Sequence, residues 1–132
     1  MSCGEMLKYS FSKLIFEFVG TMFVTVFFTS GSQPTILAGL FLMTCFCWKI
    51  SGSHFNPAVT VACMLRRGEA RFPIARGLMY IVAQLLGAYC GALLVNLYTL
   101  NLRILDFTDP FIMRATVQEL LASFTYVTFF LS

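Results

Sequence analysis

Charge is what this chain has least of. Only 11% of its 132 residues are Asp, Glu, Lys or Arg, where a soluble globular domain carries about a quarter. With 58% hydrophobic residues and a mean hydropathy of +0.81, a soluble domain is excluded and an integral membrane protein expected, with room for four spans of about 20 residues each. A strong excess of one sign is also missing. The net charge of +3 gives nucleic acid no footing. Paired Cys-Xaa-Xaa-Cys motifs are absent: Cys3, Cys45, Cys47, Cys63 and Cys90 stand apart, and four of them lie in apolar runs. They suit small buried hydrophobes better than disulfides or metal ligands, so neither metal nor cofactor is expected. No cleavable leader is evident either. The first apolar run follows Lys8 and Lys13, but it is long enough to span and carries Glu17 within it, as a retained first helix would.

In chain order, residues 1–13 form a mildly basic lead-in and the first span runs from about Phe11 to Ser30. Gly31-Ser32-Gln33-Pro34 is a tight turn, too short for a domain, and a second span runs from about Thr35 to Lys49. A third span covers about Phe72 to Tyr98, a polar connection with Asp106 and Asp109 fills 99–110, and a fourth span starts near Phe111 and is still apolar at Ser132. Basic residues are unevenly shared between the two ends. Lys8, Lys13, Lys49, Arg66, Arg67, Arg71 and Arg76 fall on the N-terminal side, against Arg103 and Arg114 on the other. The positive-inside rule then puts the N-terminus on the cytoplasmic or equivalent side of a plasma or organellar membrane.

Between the second and third spans lies Ile50-Ser51-Gly52-Ser53-His54-Phe55-Asn56-Pro57-Ala58-Val59-Thr60, polar and irregular in an apolar setting. Asn56 is a favoured N-cap, and Pro57 after it suits a first helical turn, where its missing N–H costs nothing. The chain should therefore unwind through Ser51–Phe55 and restart as a helix from Asn56 to about Leu65. At 1.5 Å per residue that helix is about 15 Å long, half of a bilayer core of about 30 Å, so it must enter and leave on one side. Lipid cannot satisfy the unpaired N–H groups of such a start, which must face a polar cavity or buried protein.

These eleven residues, in register between two apolar spans, closely resemble the first signature loop of the aquaporin (major intrinsic protein) family. Glu17-Phe18-Val19-Gly20-Thr21 resembles the family's first-helix motif, Tyr80-Ile81-Val82-Ala83-Gln84-Leu85-Leu86-Gly87-Ala88 its third-helix motif, and Glu119 its fourth-helix glutamate. A weak internal repeat agrees: Glu17 and Glu119 are each followed four residues on by a hydroxyl, Thr21 and Ser123. With three spans per copy, the second would be inverted in the membrane. The resemblance implies an all-α membrane protein, an aquaporin-like half-repeat with three spanning helices, one re-entrant half-helix and the start of a fourth span. The first repeat would fill 14–98, 99–110 would connect, and 111–132 would begin the second repeat.

The family's function implies work without bond-breaking: hydrogen bonding in single file and electrostatic exclusion. Asn56 would cap the half-helix through its side-chain carbonyl and offer its amide N–H to a passing water. Gly52, Ser53, His54 and Phe55 would line one wall with carbonyls, and Ala58 would permit close approach at the helix start, after Pro57. The positive helix end would oppose cations. Each residue also has a plainer role available, Asn56 as a cap alone and His54 as a tether. Glu17 and Glu119, costly at about 3 kcal/mol each at a span centre, would brace the loops, with Gln84 as a polar tether; proton relay is the rival role. Ala83, Gly87 and Gly91 make a small-residue ridge, and Lys49 should snorkel or pair.

Two positions depart from the family pattern. Trp48 stands where glycine is usual, and needs room that glycine does not. Ile36, twenty residues before Asn56, is aliphatic where water-specific members carry an aromatic on the second helix, so strict water selection is not implied. Two readings follow. One is the N-terminal half of a channel for water or small neutral solutes, surrounded by membrane lipids, completed by a second aquaporin half and assembled as a homotetramer like its family. The other is an aquaporin-derived structural subunit packed with other membrane subunits and no longer conducting. Pro57→Leu should leave membrane insertion intact while exposing the loop to protease; unchanged protection there would argue against a helix starting at Asn56.

Overall fold

The computed structural model describes residues 3–30, 32–66, 72–99 and, further on, 117, 120, 121 and 124–128, with side chains described from Phe11 onward. Among them the ordered elements are α1 (Cys3–Ser30), α2 (Gln33–Cys47), α3 (Pro57–Leu65) and α4 (Ile74–Thr99), and no strand occurs. The architecture is all-α. Phe11–Thr29 within α1 and Ile74–Thr99 are long and apolar enough to cross a membrane. The helix of α1 begins well before Phe11, because Glu5, Met6, Leu7 and Lys8 are good helix formers and no proline interrupts them.

α2 is shorter, at 15 residues. Its hydrogen bonds continue past the helix proper, from Trp48 N to Thr44 O, Ser51 N to Cys47 O and Gly52 N to Trp48 O. The helical path from Gln33 to Ser51 is therefore about 28 Å long, close to the thickness of a bilayer core. Gly52 ends it with φ +92°, a left-handed turn that glycine adopts without a Cβ penalty. α3, of nine residues, is too short to cross.

The interior is more polar than the outside. Glu17, Thr21, Ser51, Ser53, His54, Thr60 and Gln84 are buried, beside Cys47, Phe55, Val59, Tyr80 and Val95, while Phe41, Leu65, Leu85 and Leu97 are exposed. That inversion fits a lipid solvent, where apolar side chains gain nothing by leaving the surface. Helices then associate by close approach. Gly87 of α4 packs on the backbone carbonyl of Phe18, and a Cβ at Gly91 would lie 2.6 Å from Met22 O and 2.9 Å from Thr25 Cβ. Gly39 brings α2 against the Phe27 ring of α1, and Gly77 brings α4 against Met64 of α3. Of the small-residue ridge, Gly87 and Gly91 are buried against α1; Ala83 is only half-buried and lines an outer groove instead. On α1, Thr21, Thr25 and Thr29 each donate to the carbonyl four residues back, at 2.7, 2.9 and 2.8 Å, so their hydroxyls are satisfied without water.

Gly87→Leu should separate α1 from α4. Overpacking of this kind costs about 1–3 kcal/mol, so the variant should melt earlier in detergent, whereas Leu97→Ala, at a site 74% exposed, should leave the melting temperature unchanged.

Candidate functional site

A carboxylate in the middle of an apolar helix must find donors, and Glu17, fully buried on α1, finds four. Its Oε1 accepts from Ser51 Oγ at 2.7 Å and from the backbone N–H of His54 at 3.0 Å. Its Oε2 accepts from the backbone N–H of Phe55 and from Gln84 Nε2, both at 2.8 Å. Placing such a charge at a span centre costs about 3 kcal/mol, while each hydrogen bond to a charged group contributes about 1.5–3 kcal/mol. Four of them outweigh the cost.

These bonds hold the loop in a shape it would not keep by itself. Ser53 and Phe55 have φ of 52° and 47°, left-handed values that are unusual for non-glycine residues and cost about 1–3 kcal/mol each. Phe55 is held there by its N–H bond to Glu17 and by its ring, 6% exposed and packed on Gly20. Ser53 is held by its N–H on Ser51 Oγ at 3.1 Å and its hydroxyl on Thr44 O at 3.1 Å.

A geometric consequence follows from the flat trans peptide, whose N–H and C=O point opposite ways. The N–H groups of His54 and Phe55 point at Glu17, and no peptide is cis. The carbonyls of Ser53 and His54, on those same peptides, therefore turn away from the carboxylate. The N–H of Ser53 is drawn to Ser51 Oγ, which turns the carbonyl of Gly52 the same way. Three successive carbonyls thus point away from the groups that hold their N–H partners.

α3 begins where this ladder stops. Asn56 is its N-cap, with φ −148° and ψ 126°, and its Oδ1 accepts from Ala58 N at 2.8 Å. Pro57 fills the first helical position. Among the described residues no acceptor meets the Asn56 amide nitrogen; Asn56 and Pro57 are half-buried, and Ala58 is exposed.

Thr60, fully buried, ties α3 to the rest. Its Oγ1 receives a bond from Gln84 Nε2 at 2.9 Å, donates to Asn56 O at 3.2 Å and lies 3.1 Å from His54 Nδ1. Tyr80 donates to Ser51 O at 2.9 Å, and its ring meets His54 edge-on at 5.4 Å, with Phe72 completing the cluster at 5.1 Å from His54. The structure thus joins Glu17, Gln84, Ser53, His54 and Phe55 around one carboxylate, with Gly52 and Asn56–Ala58 at its two ends. Ile36 is elsewhere, half-buried in the first turn of α2, at the far end of that helix from Ser51. Glu119 lies outside the described residues. Trp48 is 54% exposed and so does not fill the interior, and Lys49 is exposed.

Ser51, Thr60 and Tyr80 were not singled out as site residues from sequence. A signal for two of them was present: Tyr80 precedes Gln84 by one helical turn, and Thr60 follows Asn56 by the same interval, so each shares a face with a polar residue. Ser51 carried no such periodicity. Among the described residues no three His, Cys, Asp or Glu side chains gather as metal ligands, and Cys45, Cys47, Cys63 and Cys90 are free thiols.

The family model described as "Major intrinsic protein" matches residues 35–132. Among curated proteins, human "Aquaporin-2" is 36% identical over 107 residues, covering 70% of this chain and 38% of its own length. "Probable aquaporin PIP2-5" of Arabidopsis thaliana is 33% identical over 119 residues, 71% of this chain and 41% of its own length. "Aquaporin-2" of Rhizopus delemar is 45% identical over 65 residues, 49% of this chain and 18% of its own. No solved structure matches. The chain spans about two fifths of the human and Arabidopsis relatives.

Glu17→Gln puts an NH₂ where an acceptor is needed, leaving buried donors unpaired at about 1–3 kcal/mol each. A lower melting temperature and faster proteolysis between Ser51 and Asn56 are expected; a variant as stable and as protected as the native protein would show that the carboxylate does not hold the loop.

Proposed function

The chain belongs to the major intrinsic protein family and is an integral membrane protein, and we propose that it forms the first half of a pore wall for water or small neutral solutes. The observation that carries this reading is the pull of Glu17 on the N–H groups of His54 and Phe55. It leaves the carbonyls of Gly52, Ser53 and His54 as a ladder of acceptors leading to the Asn56 amide. A solute passing along it donates to each carbonyl in turn and then meets a donor.

That order suits a molecule carrying both hydrogen-bond functions and no charge. The N-terminal end of α3 adds about half a positive charge, which repels cations. At Asn56 the switch from accepting to donating wall turns a water molecule and interrupts a continuous proton wire. Ile36, aliphatic and far along α2, leaves small neutral solutes other than water in reach. The remaining wall would come from a second half carrying its own half-helix, with a homotetramer as the assembly and the N-terminus on the cytoplasmic-equivalent side. Glu17 and Gln84 act as braces in this mechanism, and Glu119 is assigned the same role in the second half.

The native polypeptide, reconstituted in proteoliposomes, should shrink faster than empty vesicles after a step in an impermeant osmolyte, or reswell faster after a step in glycerol. Ala58→Trp, at an exposed site beside the capped helix start, should return shrinkage to the empty-vesicle rate without lowering the melting temperature. Native protein that shrinks no faster than empty vesicles would favour the non-conducting structural subunit.

A further inference from the structure

The outward face of α2 changes character along its length. Its exposed side chains are apolar at Leu37, Phe41 and Phe46, then become an indole at Trp48 and an ammonium at Lys49. These last two are exposed although Cys47 and Ser51, on either side of them, are buried.

Two observations put this turn at the boundary of the bilayer. The helical path from Gln33 to Ser51 is about as long as a bilayer core is thick, and it starts from the polar N-cap Ser32, so its far end reaches the opposite boundary. The chain then doubles back. After Gly52, the Ser53 hydroxyl donates to Thr44 O at 3.1 Å, about two helical turns before Ser51, which leaves Trp48–Ser51 as the outermost turn on that side. The charge there has no internal counterpart. Among the described side chains Glu17 is the only acidic one, and its oxygens are taken by Ser51, His54, Phe55 and Gln84.

We propose that Trp48 and Lys49 form a phospholipid anchor, with the indole among the glycerol esters and the ammonium bonded to a lipid phosphate. The order of the side chains selects this occupant. Apolar stripe, indole and cation follow one another along α2 as acyl chains, ester region and phosphates do across a monolayer, and aromatic belts and snorkelling lysines occupy those last two levels. A protein helix packed on this face would instead bury an ammonium without a counter-charge, which is costly. The anchor also bears on the loop. Trp48 O accepts the N–H of Gly52 at 3.1 Å, so the depth of Trp48 in the membrane sets the depth at which the helix gives way to the loop. The contact requires the bilayer but not conduction, so its test is separate from the osmotic one.

The native polypeptide is reconstituted in phosphatidylcholine vesicles whose acyl chains carry bromine either close to the glycerol or close to the methyl end. Trp48 is the only tryptophan in the sequence, and its signal is the fluorescence lost in Trp48→Phe. Bromine close to the glycerol should quench it more strongly than bromine at the methyl end. Lys49→Leu should let Trp48 sink: its emission shifts to shorter wavelength and the deep bromine gains over the shallow one, while Lys49→Arg keeps the native profile. Stronger quenching of the native protein by the deep bromine overturns the proposal, whatever the variants do. So does an absence of quenching from either depth, which would put protein or water on the indole. A folded Lys49→Leu protein with the native profile overturns it as well, because the lysine would then hold no phosphate.

Discussion

One buried carboxylate sets the conformation of the loop between α2 and α3. Glu17 gathers a serine hydroxyl and two successive backbone N–H groups from that loop and a glutamine amide from α4. Each donor would otherwise be unsatisfied in an environment without water. The loop cannot relax into a continued helix without giving up those bonds, and the left-handed values at Ser53 and Phe55 persist because the carboxylate fixes the N–H groups beside them. The direction of the outward carbonyls follows from the same bonds through the planarity of the peptide.

Around that centre the usual ordering of inside and outside is reversed. Polar side chains are buried and large apolar ones face out, so cohesion comes from hydrogen bonds and from backbone contact at glycine. Gly87 and Gly91 let α4 lie directly on the α1 backbone, which brings Gln84 within reach of both Glu17 and Thr60. Close packing of two helices and bracing of the loop are thus one arrangement: anything that pushes α4 from α1 also draws the glutamine from its two partners.

Much of this was legible from residue order. Scarce charge and long apolar runs imply helices in lipid, since only helices or closed barrels satisfy a backbone there. Asn56-Pro57 marks a helix start by a chemistry that does not depend on surroundings: a side-chain acceptor for an orphan N–H, then a residue with no N–H to orphan. Other features were less accessible. The ridge of Ala83, Gly87 and Gly91 was visible as spacing, yet spacing does not say where the partner backbone passes, and Ala83 turns out to border an outer groove. Trp48 suggested crowding, but the indole is exposed, because the face of a residue in a loosening last turn is not set by helical period. Thr60 and Tyr80 were hidden by ordinariness, since a threonine in a helix and a tyrosine in a span have routine uses.

The sequence by itself determined the solvent, the helical class and the point where the short helix begins, because these depend on composition and on interactions between residues a few positions apart. Only tertiary structure decided which donors Glu17 takes, which way the Gly52–His54 carbonyls face, and which glycines touch a neighbouring backbone. Those outcomes join residues as far apart as Glu17 and Gln84, and the geometry of such a pair exists only once the helices between them have packed.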